Sequence, residues 1–349
     1  MRGDLLDYLT VSRARASAST SFPFFIGILI STPPLTSITI IVTWSTLLHY
    51  YICQLNNLAD LDSDRGNPTR RPTPLTMGVL PLGRVRYWIL IELFLLMVFG
   101  ILPLQSLCAK IGVVALLLTV TYGNVYQKCS PRISPVIIDF LYGFSMGLPI
   151  LIVGAEFGDL NSQTYWILSL CVGLNFTILN MFAGNMKDLE WDINSGCQTT
   201  AIELGVRPLA KKEGIQLTWS YRTLLAVTQI FLSIVTVAAI FPNIHPDSGA
   251  IFFLSLLAIL ATVGGFADIL RRIRCKILRP PSGNSSPLAF RLYITRPAHA
   301  FLNLASVCAV TGVFSPNPLV SVAILSALIV GTFLLIAIGR RSAVVSLNS

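Results

Sequence analysis

Asn56, Asp60 and Asp64 are spaced four residues apart, as are Asp188 and Asp192, with Asn185 three residues earlier. On a helix this spacing stacks side chains on one face, one turn above the next. The clusters read Asn56-Asn57-Leu58-Ala59-Asp60-Leu61-Asp62-Ser63-Asp64 and Asn185-Met186-Lys187-Asp188-Leu189-Glu190-Trp191-Asp192, each at the end of a very apolar stretch. Mg²⁺ prefers hard oxygen donors and is commonly held by one or two carboxylates plus substrate phosphates. Successive rungs are about 6 Å apart along the axis, so one ladder shares an ion with a phosphate rather than caging it. Two facing ladders would hold Mg²⁺ around one diphosphate. Asn56, Asp60, Asp64, Asn185, Asp188 and Asp192 are therefore the candidate metal ligands, and the four Asp among them the candidate catalytic set. Arg65, Arg70 and Arg71 follow the first cluster and Lys187 lies inside the second. Guanidinium forks match phosphate oxygens.

The elements that must position these groups lie in a membrane. The chain has 349 residues, 54% of them hydrophobic and only 12% charged. Its mean hydropathy is +0.71, whereas soluble domains carry roughly 25% charged residues. The composition predicts an all-α, polytopic membrane bundle forming a single integral membrane domain over 1–349. The net charge of +9 reads as basic cytoplasmic loops against membrane lipid rather than as nucleic-acid binding. The 7 cysteines show no CxxC spacing, so neither a disulfide framework nor a zinc site is expected.

Apolar windows long enough to cross a bilayer fall at about 17–32, 35–56, 87–107, 109–126, 135–155, 164–187, 215–241, 249–270, 294–314 and 317–338. With the N-terminus in the cytoplasm, the Arg-rich segments around Arg13, Arg65–Arg86, Arg207 and Arg271–Arg291 all fall on one side. The other side keeps Lys110. The positive-inside rule predicts such a bias, and four spans between the clusters place both on the cytoplasmic side. Lys276 to Arg291, with Pro280-Pro281, reads as a flexible connection.

The two clusters resemble the motifs of the UbiA superfamily of intramembrane prenyltransferases. The first family motif, N-x-x-x-D-x-x-x-D, is matched by Asn56, Asp60 and Asp64, with Asn57 in a place usually held by Asp. Asp64-Arg65-Gly66-Asn67-Pro68-Thr69-Arg70-Arg71-Pro72 is similar to the segment that follows it. The second motif is matched from Asn185 to Asp192, followed by Gly196, Thr199 or Thr200, and Leu204-Gly205. Asp139, Gly143, Gly147 and Pro149 on the fifth span also resemble the family. The likeness covers about 13–314, and implies about nine core helices plus a tenth at 317–338. Three departures stand out: Asn185 replaces an Asp, Trp191 replaces a small residue at the expected site mouth, and Pro74-Leu75-Thr76-Met77-Gly78 replaces a shorter loop.

The resemblance implies that Mg²⁺ and basic residues grip a prenyl diphosphate, with Arg65, Arg71, Lys128 and Lys187 binding its phosphates. The allylic cation left when diphosphate departs is captured by a lipophilic or aromatic acceptor. An alternative in the same superfamily is a terpene cyclase, in which the cation meets the substrate's own double bond. Arg13 or Arg15 reads as either a diphosphate ligand or a membrane anchor, and His49 as a buried, hydrogen-bonded side chain or, as the alternative, one that faces the chamber. Asp139 reads as shaping the acceptor pocket or as pairing structurally with a basic group such as Arg132, and Asp268 and Arg222 are expected to snorkel toward an interface. Tyr142, Phe144 and Phe176 have ring faces that could stabilise a cation.

Overall fold

The computed structural model describes residues 2–65, 73–126, 133–209, 214–243, 248–275, 277–278 and 298–330. An N-terminal helix α1 (Arg2–Val11) precedes α2 (Ser17–Ser31), α3 (Leu35–Ala59) and the short α4 (Leu61–Arg65). The bundle continues with α5 (Leu82–Ile101), α6 (Leu107–Tyr126), α7 (Pro135–Phe157) and α8 (Gln163–Leu179). A π-helical turn, Asn180–Gly184, runs into short helices α9 (Asn185–Lys187), α10 (Leu189–Asn194) and α11 (Thr200–Glu203). Then come α12 (Trp219–Ile240), α13 (Gly249–Arg274), α14 (Ala298–Phe314) and a last helix, Pro318–Val330.

Helices therefore coincide with every apolar window. Six of these helices are long and apolar enough to cross a membrane, while Ser19–Ser31, Ala298–Phe314 and Pro318–Val330 are shorter. The third window is displaced. Its helix begins at Leu82 behind Pro81 and ends before Pro103, because proline suits a helix start and cannot extend one. Arg84 and Arg86 thus lie inside its first turns, where a hydropathy window does not reach. The seventh window begins too early: Ile215–Gln216 is a strand, antiparallel to Arg207–Pro208 on one side and to Ile277–Leu278 on the other. Thr218 then caps α12, its side chain accepting from the Tyr221 amide. Helix α1 and this small sheet are absent from the hydropathy reading. Most of the 276–291 connection, Arg132 and the tail beyond residue 330 lie outside the described residues.

One apolar core joins α2, α3, α5, α6 and α7, and a second joins α2, α7, α8, α12, α13 and α14. Between apolar helices in lipid, close packing and hydrogen bonds carry the association. Trp44 donates to the Leu96 carbonyl at 2.8 Å, Tyr51 meets Thr121 at 2.7 Å, and Gln229 and Asn303 exchange amide bonds at 3.1 and 2.9 Å. Helices α7 and α8 approach closest at Gly143 and Gly147. A Cβ at Gly143 would stand 2.7 Å from the Gly173 carbonyl and collide with Thr177; one at Gly147 would collide with Ser169.

Gly143→Ala or Gly147→Ala is expected to cost about 1–3 kcal/mol by overpacking, read as a lowered unfolding temperature of the detergent-solubilised protein. Gly83→Ala, with nothing within 4 Å of its Cβ, is expected to leave that temperature unchanged.

Candidate active site

Both acidic clusters sit where a long apolar helix breaks into a short one. Helix α3 ends at Asp60, whose φ of −88° and ψ of 1° turn the chain into α4. Asp188, with φ −118° and ψ 10°, does the same between α9 and α10. The i,i+4 backbone bonds nevertheless run through each break: Asp60 N to Asn56 O at 2.9 Å, Asp64 N to Asp60 O at 2.8 Å and Asp192 N to Asp188 O at 2.9 Å. The rungs expected from the spacing therefore survive the change of direction.

The two breaks meet at one cavity of about 270 Å³. Asn56 and Asp60 line it from the first cluster, Asn185, Lys187 and Asp192 from the second. Asp64 and Asp188 are the adjoining rungs, outside the lining. Asp60, Asp188 and Asp192 are all buried, and Asp64 is partly so. Lys187 Nζ lies 3.8 Å from Asp188 Oδ2. Arg65 does not line the cavity: it is exposed, 3.9 Å from Asp62. Arg71 and Lys128 lie outside the described residues.

Arg13 instead supplies a cation from the N-terminal side. Its guanidinium donates to Asn57 Oδ1 at 2.5 Å and to Asn56 Oδ1 at 3.3 Å, and it lines the cavity. His49 is buried and hydrogen-bonded as expected, with Nδ1 2.9 Å from Thr20 Oγ1 and Nε2 3.1 Å from the Arg13 carbonyl, yet it too faces the cavity. Ile52, Cys53 and Tyr142 complete that wall. Phe144 and Phe176 are not part of the lining.

While Arg132 lies outside the described residues, Asp139 has partners at the π-helical turn. It is fully buried on α7 and accepts from Asn180 Nδ2 and Asn185 Nδ2, both at 2.8 Å. Asn185 also reaches the Asn180 carbonyl at 3.1 Å. The π-helical turn makes this possible. Its extra residue swings Asn180 and Gly184 into the cavity wall, a use of π-bulges common at functional sites. A Cβ at Gly184 would press to 2.5 Å from Asn180 Oδ1, so the missing side chain leaves room for that amide. Asp268 departs from expectation. It does not snorkel but is buried, accepting from Arg271, Arg272 and His299 at 2.8, 2.8 and 3.0 Å. Arg222 donates inward to the Ile273 carbonyl at 3.0 Å. Trp191 is half-buried and not among the residues lining the cavity.

Asn124 and Asn180 line the cavity without having been singled out from the sequence. The available signal was a polar amide at the end of an apolar run, which is rare in a membrane helix without a role.

The chain is similar to known proteins. Two 4-hydroxybenzoate octaprenyltransferases, from Burkholderia mallei (strain NCTC 10247) and Burkholderia pseudomallei (strain 668), are 28% identical over 177 and 157 residues. These matches cover 49% and 44% of this chain, and 58% and 50% of the relatives' own length. Among solved structures, a UbiA homologue from Aeropyrum pernix K1 superposes with TM-score 0.57 at 18% identity, covering 86% of this chain and 96% of the other. A UbiA homologue from Archaeoglobus fulgidus bound to DMAPP and Mg²⁺ gives 0.59 at 16%, covering 88% and 99%. At these identities the likeness establishes the fold, that of an integral membrane helical bundle. The UbiA prenyltransferase family matches residues 20–274, a range that includes both acidic clusters, and the chain belongs to that family.

Proposed function

We propose that this protein transfers a prenyl group from a prenyl diphosphate to a lipophilic or aromatic acceptor within the membrane, with Mg²⁺ as cofactor. The observation that carries this reading is the convergence of both carboxylate clusters on one cavity that also holds Arg13 and Lys187. The relatives named 4-hydroxybenzoate octaprenyltransferase pair a prenyl donor with an aromatic acceptor, and the A. fulgidus homologue was solved with DMAPP and Mg²⁺. Both support the donor and cofactor class.

The donor set fits Mg²⁺: Asn56, Asp60, Asn185 and Asp192 in the wall, with Asp64 and Asp188 as adjoining rungs, offer only hard oxygens. Among the described residues no three His, Cys, Asp or Glu side chains are grouped to cage an ion alone, so substrate phosphate oxygens would complete the coordination. When bound, Mg²⁺ supplies charge neutralisation to the diphosphate. The chain's own groups do the rest. Arg13 and Lys187 meet the negative charge that grows on the leaving oxygen as the allylic C–O bond breaks, the kind of aimed electrostatic stabilisation that dominates such steps. The electron pair of that bond leaves with the diphosphate. Ile52 and the Tyr142 ring border the space where the cation forms, and limit water at that wall. The acceptor's nucleophilic atom then forms the new C–C or C–heteroatom bond and loses a proton. Asp139 orients Asn185, which keeps its Oδ1 for the cavity. The acidic clusters face the cytoplasm in this reading, the side set by the arginine-rich loops.

Asn185, one of the departures at this site, lines the cavity while Trp191 does not, and the terpene cyclase is kept as the second reading. The purified protein with Mg²⁺ and C10–C20 prenyl diphosphates is expected to release diphosphate and form prenylated product only when a phenolic or lipidic acceptor is added. A cyclic hydrocarbon formed without acceptor would favour the cyclase, and no diphosphate release under any condition would sink both. Asp60→Asn and Asp192→Asn are each expected to lower kcat by about 10²–10³-fold, as loss of one aimed electrostatic group does elsewhere. Asp139→Leu leaves Asn180 and Asn185 without their shared acceptor, and is expected to lower kcat/KM by at least about tenfold while the protein still inserts as a folded monodisperse species. Unchanged kinetics in Asp139→Leu would remove its orienting role.

A further inference from the structure

Glu92 is a carboxylate on α5 that neither acidic cluster includes, and it is only 2% exposed. Ionisable groups inside membrane segments are costly and mark function by default. Its partners are specific. Glu92 Oε1 accepts from the Tyr8 hydroxyl at 2.6 Å and from Gln54 Nε2 at 2.8 Å. Gln54 also donates to Ser12 Oγ at 2.8 Å. Tyr8 packs edge-on against Tyr50 and Trp88, with ring centroids 5.6 and 5.2 Å away. The segment from Tyr8 to Ser12 is thereby tied to α3 and α5.

The tie ends at the cavity. Asn57 Nδ2 donates to the Val11 carbonyl at 2.6 Å, and His49 Nε2 contacts the Arg13 carbonyl at 3.1 Å. Arg13 itself holds a left-handed backbone, φ 49° and ψ 41°, a conformation that a non-glycine residue keeps only where its surroundings over-determine it. The bonds on either side of Arg13 provide that, and the left-handed turn aims its guanidinium at Asn56 and Asn57.

We propose that Glu92 is a positioning residue: through Tyr8, Gln54 and Ser12 it docks the N-terminal helix so that Arg13 faces the diphosphate site. This rests on the proposed function for the ligand, while the docking itself can be read without any ligand. Glu92→Leu removes the acceptor, Glu92→Gln keeps an oxygen for Tyr8 and Gln54, and Tyr8→Phe cuts one bond at the bundle's edge without touching the membrane core.

Two measurements on the full-length protein in lipid nanodiscs test it. In hydrogen exchange, residues 2–16 are expected to lose protection in Glu92→Leu and Tyr8→Phe and to keep it in Glu92→Gln. In titrations with inorganic pyrophosphate and Mg²⁺, Arg13→Gln and Glu92→Leu are each expected to weaken binding about tenfold. The double variant is expected to be no weaker than Arg13→Gln alone, because coupled groups are not additive, and Glu92→Gln is expected to restore binding. Unchanged exchange in Tyr8→Phe and Glu92→Leu overturns the docking. Additive losses, or pyrophosphate binding indifferent to Glu92, overturn the positioning of Arg13 alone. A wild-type protein that binds no pyrophosphate overturns the proposed function, and the positioning of Arg13 with it, even where the exchange result holds.

Discussion

The structure is organised around carboxylates withdrawn from water. Asp60, Asp139, Asp188 and Asp192 are all buried in a bundle that exposes many large apolar side chains. The penalty for removing one such ion from water is several kcal/mol even after relaxation. A fold that keeps four of them together must surround them with donors and cations. Asn180 and Asn185 serve Asp139, Lys187 stands by Asp188, and Arg13 covers the Asn56 rung. The π-helical turn, the two helix breaks and the N-terminal segment all help to supply those partners.

Close helix packing is what lets the second cluster reach the first. The small residues Gly143 and Gly147 bring α7 against α8, and this sets Asp139 beside Asn180 and Asn185. A larger residue at either position would push the helices apart, and the link from Asp139 to the π-helical turn would lengthen beyond hydrogen-bond range. Stability and site geometry therefore share the same contacts, so the helix pair cannot be loosened without moving the wall of the cavity.

The amide at Asn185 has a structural consequence. An amide can donate where a carboxylate cannot, and Asn185 uses its Nδ2 to bind Asp139. A second carboxylate there would face Asp139 with like charge. The amide leaves that wall less negative than a carboxylate would while tying it to α7. Arg13, arriving from outside the two clusters, adds positive charge on the opposite wall.

Much of the architecture was legible in the sequence because membrane burial is written in composition: apolar windows marked every long bundle helix, though not α1 or the short helices after Asp60 and Asp188, and the i,i+4 spacing of Asp60 and Asp64 and of Asp188 and Asp192 needed only helical periodicity. Family motifs carried the site assignment further, from a ladder to a diphosphate. Helix edges were less legible where proline or a cap, rather than hydropathy, decides, as at Leu82 and Trp219. Pairing across the bundle was not legible at all. That Arg13 and not Arg65 faces the cavity, that Asp139 binds two asparagines, and that Glu92 holds Tyr8 depend on side chains 41 to 84 residues apart meeting in space. Local spacing determines which face of a helix a residue occupies; only the tertiary packing of several helices decides what that face meets, because a hydrogen bond needs partners within about 3 Å and no periodicity in one segment encodes the position of another.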